Sequence, residues 1–321
     1  MTTEYFKNEN LRIVSLLPSA TEIVCALGLE PNLVGITHEC DFPLGVEGKP
    51  ALTASHISHQ TMSSLQIDHA VRSQLDGHGS IYSLDEKLLH ELNPDLIVTQ
   101  ELCDVCAVSF KTVQQAARIF AGDISIVSLE PNTIEDIFGN IETVARQTGC
   151  EERGRKVVNE LRGRLEAVKM RLDKINQRPR TLMLEWLEPM FAPGHWVPEQ
   201  VAMAGGDHAF GRAGEPSVTT TIEEVVAYAP EVIVLIPCGY YIADILHQLP
   251  QSNFPAGWND LPAMKTGDVW AVDATSYFSR PGPRVVNGVE ILAKILHPEI
   301  FGGPEAHEAV RVSPDQFLTV N

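Results

Sequence analysis

Short apolar runs alternate along the chain with stretches whose apolar residues recur at helical spacing. Arg12 to Leu17 is a β-rich run. Pro18 follows, and Ser19-Ala-Thr-Glu22 is a capping-box pattern that opens the periodic run Ile23, Val24, Ala26, Leu27, which Gly28 stops. Leu33 to Thr37 predicts a second strand, ending in the polar cluster His38-Glu39-Cys40-Asp41. Ser83 to Glu86 repeats the capping-box pattern, and its helix runs to Leu92, where Asn93-Pro94-Asp95 turns the chain into the buried strand Leu96–Thr99. The loop after that strand carries Cys103 and Cys106. Ser125 to Leu129 gives another strand, and Asn132 with Glu135 begins a further helix. Strands that alternate with helices imply parallel sheets joined by helical crossovers.

No proline interrupts residues 151 to 176, and Val158, Leu161, Leu165, Val168, Leu172 and Ile175 recur at steps of three and four. That spacing predicts one amphipathic helix, roughly 40 Å long at about 1.5 Å per residue. The ten Lys and Arg residues between Arg153 and Arg180 read as its solvated sides rather than as a basic binding site. The alternation then resumes with a strand at Thr181–Leu184 and the buried run Val232–Ile236. Asn93-Pro-Asp-Leu-Ile-Val98 and Ala229-Pro-Glu-Val-Ile-Val234 share one design: helix end, proline, acid, buried strand, cysteine-bearing loop. The expected fold class is therefore α/β, with two Rossmann-like lobes of parallel sheet joined by a single long helix and a ligand cleft between the lobes. Expected boundaries are 11–148 for the first lobe, 149–178 for the helix, 179–298 for the second lobe and 299–321 for a C-terminal tail.

Composition narrows the partners. The chain has 321 residues, 44% hydrophobic and 21% charged, enough for two domains of ordinary size. Its 24 Lys and Arg stand against 42 Asp and Glu, and a net charge of -18 repels phosphate backbones and anionic lipid. Nucleic acid and membrane insertion are excluded as expectations, and a monomer is expected. The first ten residues hold neither a basic n-region nor an apolar h-region, so the chain as written is expected in the cytoplasm, or in the periplasm if the gene start is misassigned.

Six cysteines in such a chain are expected as thiols, metal ligands or redox groups. Cys40, Cys103, Cys106 and Cys238 all fall in loops after strands, and His38, Glu39 and Asp41 share the first of these loops. Thiolates, an imidazole and carboxylates in one concave space suit zinc or iron rather than magnesium or calcium. A redox dithiol at Cys103 and Cys106, or small side chains without a ligand, are the competing readings. The metal reading leads because Cys40 and Cys238 are placed to converge. Cys25 and Cys150 read as packing. Two aromatic loops, Glu185-Trp186 with His195-Trp196, and Gly239-Tyr240-Tyr241, offer broad faces suited to a flat macrocycle or chelate. Pro193-Gly194 predicts an exposed turn at His195-Trp196. Ser19, in the turn after the first strand, joins the ligand-binding candidates. No nucleophile elbow or paired metalloprotease motif occurs, which leaves Glu39 beside His38 as the one plausible base.

Four segments carry a family likeness: Arg12-Ile-Val-Ser-Leu-Leu-Pro-Ser-Ala-Thr-Glu22, His38-Glu-Cys-Asp-Phe-Pro43, Leu92-Asn-Pro-Asp-Leu-Ile-Val98 and Tyr277-Phe-Ser-Arg-Pro-Gly-Pro-Arg284. From about Arg12 to about Leu296 the chain resembles the helix-linked (class III) solute-binding proteins of importers for vitamin B12, haem and ferric siderophores, nearest their B12-binding branch. The resemblance implies that Tyr277, Phe278, Arg280 and Arg284 line the ligand cleft. It also implies an ABC permease partner that reads one surface glutamate per lobe. Glu223 matches in the second lobe, although Thr220 with Glu223 also forms a capping-box pattern, and Ala107-Val-Ser-Phe-Lys111 offers no counterpart in the first. The implied function is non-catalytic binding of a cobalamin, corrinoid or haem-like small molecule; zinc or iron at the cysteine cluster, the least family-like feature, rests on the residues alone. A cytoplasmic metal-binding or redox enzyme using the cysteine-rich cleft is the alternative.

Overall fold

The aliphatic runs become the inner strands of two sheets. The structure, a computed structural model, describes residues 10–55, 57, 61–76, 82–100, 124–173, 175, 177–317 and 319–320. They cluster into two units, the first drawn from Met1–Ser58, His69–Pro131 and Glu135–Glu160, the second from His59–Asp68, Asn132–Ile134 and Leu161–Asn321.

In the first unit, β1 (Ile13–Ser15), β2 (Leu33–Gly35), β5 (Leu96–Thr99) and β6 (Ser125–Ser128) form a wholly parallel sheet in the order β2-β1-β5-β6, beside an antiparallel ribbon of β3 (Thr53–Ser55) and β4 (Tyr82–Leu84). β1 and β5 are buried along their whole length, as strands with unbroken apolar runs must be. Val14, Leu16, Leu52, Leu89 and Ile97 make one core cluster, each side chain contributing about 1.5–3 kcal/mol of burial.

Two helix starts differ from the sequence pattern. The helix Pro18–Ala26 has no side-chain cap: proline fills its first turn, where a missing N–H costs nothing, so Ser19 lies inside the helix and Thr21 Oγ1 donates to Ser15 Oγ at 2.8 Å. The helix Glu86–Leu92 is capped by Asp85, which accepts from the Leu88 N–H at 2.9 Å, because Ser83 is committed to β4 opposite Ala54.

The long amphipathic helix is Glu151–Leu172, 22 residues or about 33 Å, with Val158, Leu161 and Val168 buried. It stops short of the apolar pattern, because the Ile175 N–H bonds the Leu172 carbonyl in a tighter closing turn. None of the helices among the described residues is long and apolar enough to cross a membrane.

In the second unit, β7 (Thr181–Leu184), β10 (Val232–Leu235) and β12 (Val269–Val272) run parallel, and β13 (Ala309–Arg311) closes the sheet antiparallel to β12, giving the order β13-β12-β10-β7. This sheet is therefore mixed, and the segment expected as a tail supplies its edge. Arg311 stacks its guanidinium over Trp270 at 5.0 Å, and buried Phe317 packs on Phe254 at 4.9 Å, contacts that a free tail would forgo. Short ribbons of β8 (Phe191–Ala192) with β9 (Val218–Thr219) and of β11 (Phe254–Pro255) with β14 (Thr319–Val320) lie in the same unit.

Candidate ligand-binding site

Parallel pairing aligns the ends of β7, β10 and β12: Leu184 lies opposite Leu235, and Leu235 opposite Ala271. Whatever follows these strands must emerge along one edge of the sheet, the edge where α/β folds place ligands. Three loops emerge there. The Cys238 N–H donates to the Glu185 carbonyl at 3.0 Å and the Thr275 N–H to the Tyr240 carbonyl at 3.2 Å, stitching them side by side. Trp186 and Tyr240 meet edge to face at 5.6 Å, and the Arg284 guanidinium sits 5.8 Å from the Tyr277 ring centroid.

The candidates differ in exposure. Glu185, Trp186, His195, Tyr277 and Arg284 are half-buried, whereas Tyr240, Phe278 and Arg280 are buried. Trp196, expected at an exposed turn, is only 9% exposed, because its indole Nε1–H donates to the Phe278 carbonyl at 2.9 Å. It supports the Tyr277–Arg284 segment from behind. Gln200, one turn along the helix Val197–Met203, does the same, donating to the carbonyls of Tyr277 at 3.1 Å and Val285 at 2.8 Å.

Three titratable groups shape this face. Burial raises the Glu185 carboxyl to about 7, against the pull of Ser217, whose hydroxyl lies 2.9 and 3.0 Å from its two oxygens. Burial also raises Asp273, opposed by its bonds to Ser276 and by the positive charges of Arg284 and Arg280. Burial lowers His195, whose Nδ1 lies 3.3 Å from Asn132 Oδ1. Gln200, Ser217 and Asp273 were missed from sequence. Only Asp273 carried a signal, as an Asp three residues before Ser276 that caps the helix Ala274–Tyr277.

The first unit holds the other candidates. His38, Glu39 and Asp41 are exposed after β2, with His38 Nδ1 2.7 Å from Thr53 Oγ1 and the Tyr82 hydroxyl donating to Glu39 at 3.1 Å. Ser19 is 2% exposed, inside its helix. Cys40 is 4% exposed, its sulfur 3.1 Å from Thr21 Oγ1 and 3.4 Å from Thr37 Oγ1. That packing makes it an interior group rather than a surface ligand, while Cys238 is exposed in the second unit. Cys103 and Cys106 lie outside the described residues, as does the segment 107–111. Among the described residues, no three His, Cys, Asp or Glu side chains are grouped to hold a metal ion.

Glu223 is exposed in the first turn of the helix Ile222–Tyr228. The capping box there joins Thr221 to Glu224, one residue later than Thr220 with Glu223, with the Thr221 N–H donating to Glu224 at 2.9 Å and the Glu224 N–H to Thr221 Oγ1 at 3.3 Å.

The profile of the periplasmic binding protein family matches residues 13–275. The vitamin B12-binding protein of Vibrio cholerae serotype O1 is 26% identical over 289 residues, which cover 89% of this chain and 88% of that protein. A possible iron-binding periplasmic solute-binding protein of Staphylococcus epidermidis superposes with a TM-score of 0.67 at 18% identity, covering 89% of this chain and 98% of its own. The periplasmic haem-binding protein of Roseiflexus sp. RS-1 superposes with a TM-score of 0.62 at 20% identity, with coverage of 89% and 98%. Both structures share the fold.

Proposed function

The chain belongs to the periplasmic binding protein family, and from that premise we propose that it carries a flat metal chelate, first a corrinoid such as cobalamin and otherwise a haem-like macrocycle. It is a solute-binding protein of the ABC import type, and its family binds small molecules rather than transforming them. The observation that carries the ligand class is the row of half-buried Trp186, Tyr277 and Arg284 along adjacent strand ends, with buried Tyr240 packed edge to face on Trp186. Aromatic faces suit a planar ring system, and a guanidinium suits the amide or carboxylate groups at its rim. B12 binding is named for the Vibrio relative and haem binding for the Roseiflexus structure.

Hand-over to a permease would use Glu223, an exposed carboxylate that the cap leaves uncommitted. It would also put the working protein outside the cytoplasmic membrane, which fractionation of cells carrying the intact gene checks.

Titration of the purified protein with cyanocobalamin and with haemin, read by calorimetry and by quenching of tryptophan fluorescence, tests the ligand class. Saturable one-to-one binding of either is expected. Absence of binding by both would overturn the assignment to flat metal chelates.

A further inference from the structure

Glu185 is the first residue past β7, and once ionised, above about pH 7, its carboxylate can only accept hydrogen bonds. In that state its partner, the Ser217 hydroxyl, which lies 2.9 and 3.0 Å from the two carboxylate oxygens, must donate to it, and this leaves the serine lone pairs for another donor. The Gly194 N–H supplies one, at 3.2 Å. The same turn is held at two more points, the His195 N–H donating to the Glu215 carbonyl at 2.7 Å and the Gly214 N–H to the His195 carbonyl at 3.0 Å. The backbones press closely enough that a Cβ on Gly194 would lie 2.1 Å from the Glu215 oxygen, and one on Gly211 would lie 2.1 Å from the Pro193 oxygen. The turn and the 211–217 loop therefore move together or not at all. At the end of the turn stands Trp196, whose indole N–H holds the Phe278 carbonyl.

A path of hydrogen bonds, joined by the backbone of the turn from Gly194 to Trp196, thus runs from Glu185 through Ser217 to the segment that bears Tyr277, Arg280 and Arg284. We propose that Glu185 is a positioning residue for ligand binding: by fixing the direction of the Ser217 hydroxyl it locks the Pro193–Trp196 turn, and through Trp196 it sets the place of the aromatic and arginine side chains. Burying a carboxyl costs free energy that a neutral filler would spare, and a direction-setting acceptor gives that cost a purpose. The inference rests on the solute-binding reading of this sheet edge.

The test reads the relay with and without ligand. In protein carrying nitrogen-15 tryptophan and held at pH 8, where Glu185 is ionised, with the Trp196 indole resonance identified by its loss in Trp196→Phe, both Glu185→Ala and Ser217→Ala are expected to shift that resonance and speed its exchange with solvent. The indole resonances of Trp258 and Trp270 should stay in place, and Ser217→Thr, which keeps the hydroxyl, should restore the wild-type Trp196 signal. Each alanine variant is expected to weaken cyanocobalamin or haemin binding about tenfold, and the double variant no further than the singles, as members of one chain of bonds should. An unmoved Trp196 resonance in folded Ser217→Ala protein, or additive losses in the double variant, would overturn the relay. If neither probe binds the wild type, the ligand reading falls, and the indole resonance alone still decides the relay.

Discussion

The backbone N–H of Arg12 donates to the Asp95 carboxylate at 2.8 Å, and the second unit repeats the device with Arg180 and Glu231 at 3.0 Å. In each pair the arginine precedes one strand of a parallel pair and the acid precedes its neighbour. Each guanidinium then reaches a carbonyl at the end of a helix, Leu92 from Arg12 Nε at 2.9 Å and Ala229 from Arg180 Nε at 2.9 Å. The acid after proline fastens two adjacent strands and a helix end at once. Asp95→Ala and Glu231→Ala are each expected to cost about 1 kcal/mol, a charge-assisted bond discounted for exposure. Urea denaturation checks both, and loss in only one unit would show that the repeat is one of sequence rather than of energetics.

The repeat was legible because proline and an acid mark it in plain sequence. Cap register was not. Thr219-Thr-Thr-Ile-Glu-Glu224 satisfies the Thr-x-x-Glu spacing at 220 with 223 and at 221 with 224, and only the extended backbone of Thr221, with φ -104° and ψ 159°, selects the second. Depth was hidden too. Pro193-Gly194 does make a turn, but the indole of Trp196 faces inward to a carbonyl 82 residues away, a partner that no local pattern contains.

Glu185 predicts a stability that falls as pH rises. Its carboxyl titrates near 7 when folded and near the ordinary 4.5 when unfolded. Below pH 4.5 both states hold the proton. From there to pH 7 the native state alone keeps it, so the unfolded state binds fewer protons and stability declines with pH, reaching its full deficit above 7. Glu185→Gln should therefore gain at most roughly 3 kcal/mol at pH 8 and little near pH 4. Denaturation at both values decides it; an equal effect at each would mean that the carboxyl does not titrate as described.

Cysteine reactivity should separate half-buried Cys25 and buried Cys40 from exposed Cys238. Burial is the largest of the causes that push the Cys25 thiol up to about 12, and Cys40 is enclosed by two threonines, whereas Cys238 is exposed. Brief alkylation of the native protein at pH 8, followed by peptide mass mapping, should modify Cys238 and spare Cys25 and Cys40. Rapid labelling of Cys40 would contradict its packing and reopen it as a ligand.

Glu223 and Glu224 are neighbours with opposite expected roles. Glu224 has its carboxyl held below the ordinary range, first by the backbone bond from Thr221 and then by that residue's hydroxyl. Glu224→Ala should therefore lower the midpoint of thermal unfolding, by loss of a cap, and leave uptake intact once the protein is folded. Glu223→Lys removes no cap, so thermal stability and affinity for cyanocobalamin should match the wild type. If Glu223 is read by a permease, the charge reversal repels the complementary cation there, and uptake of labelled ligand by cells should collapse. Normal uptake with Glu223→Lys would assign permease docking to other residues, whatever the ligand proves to be.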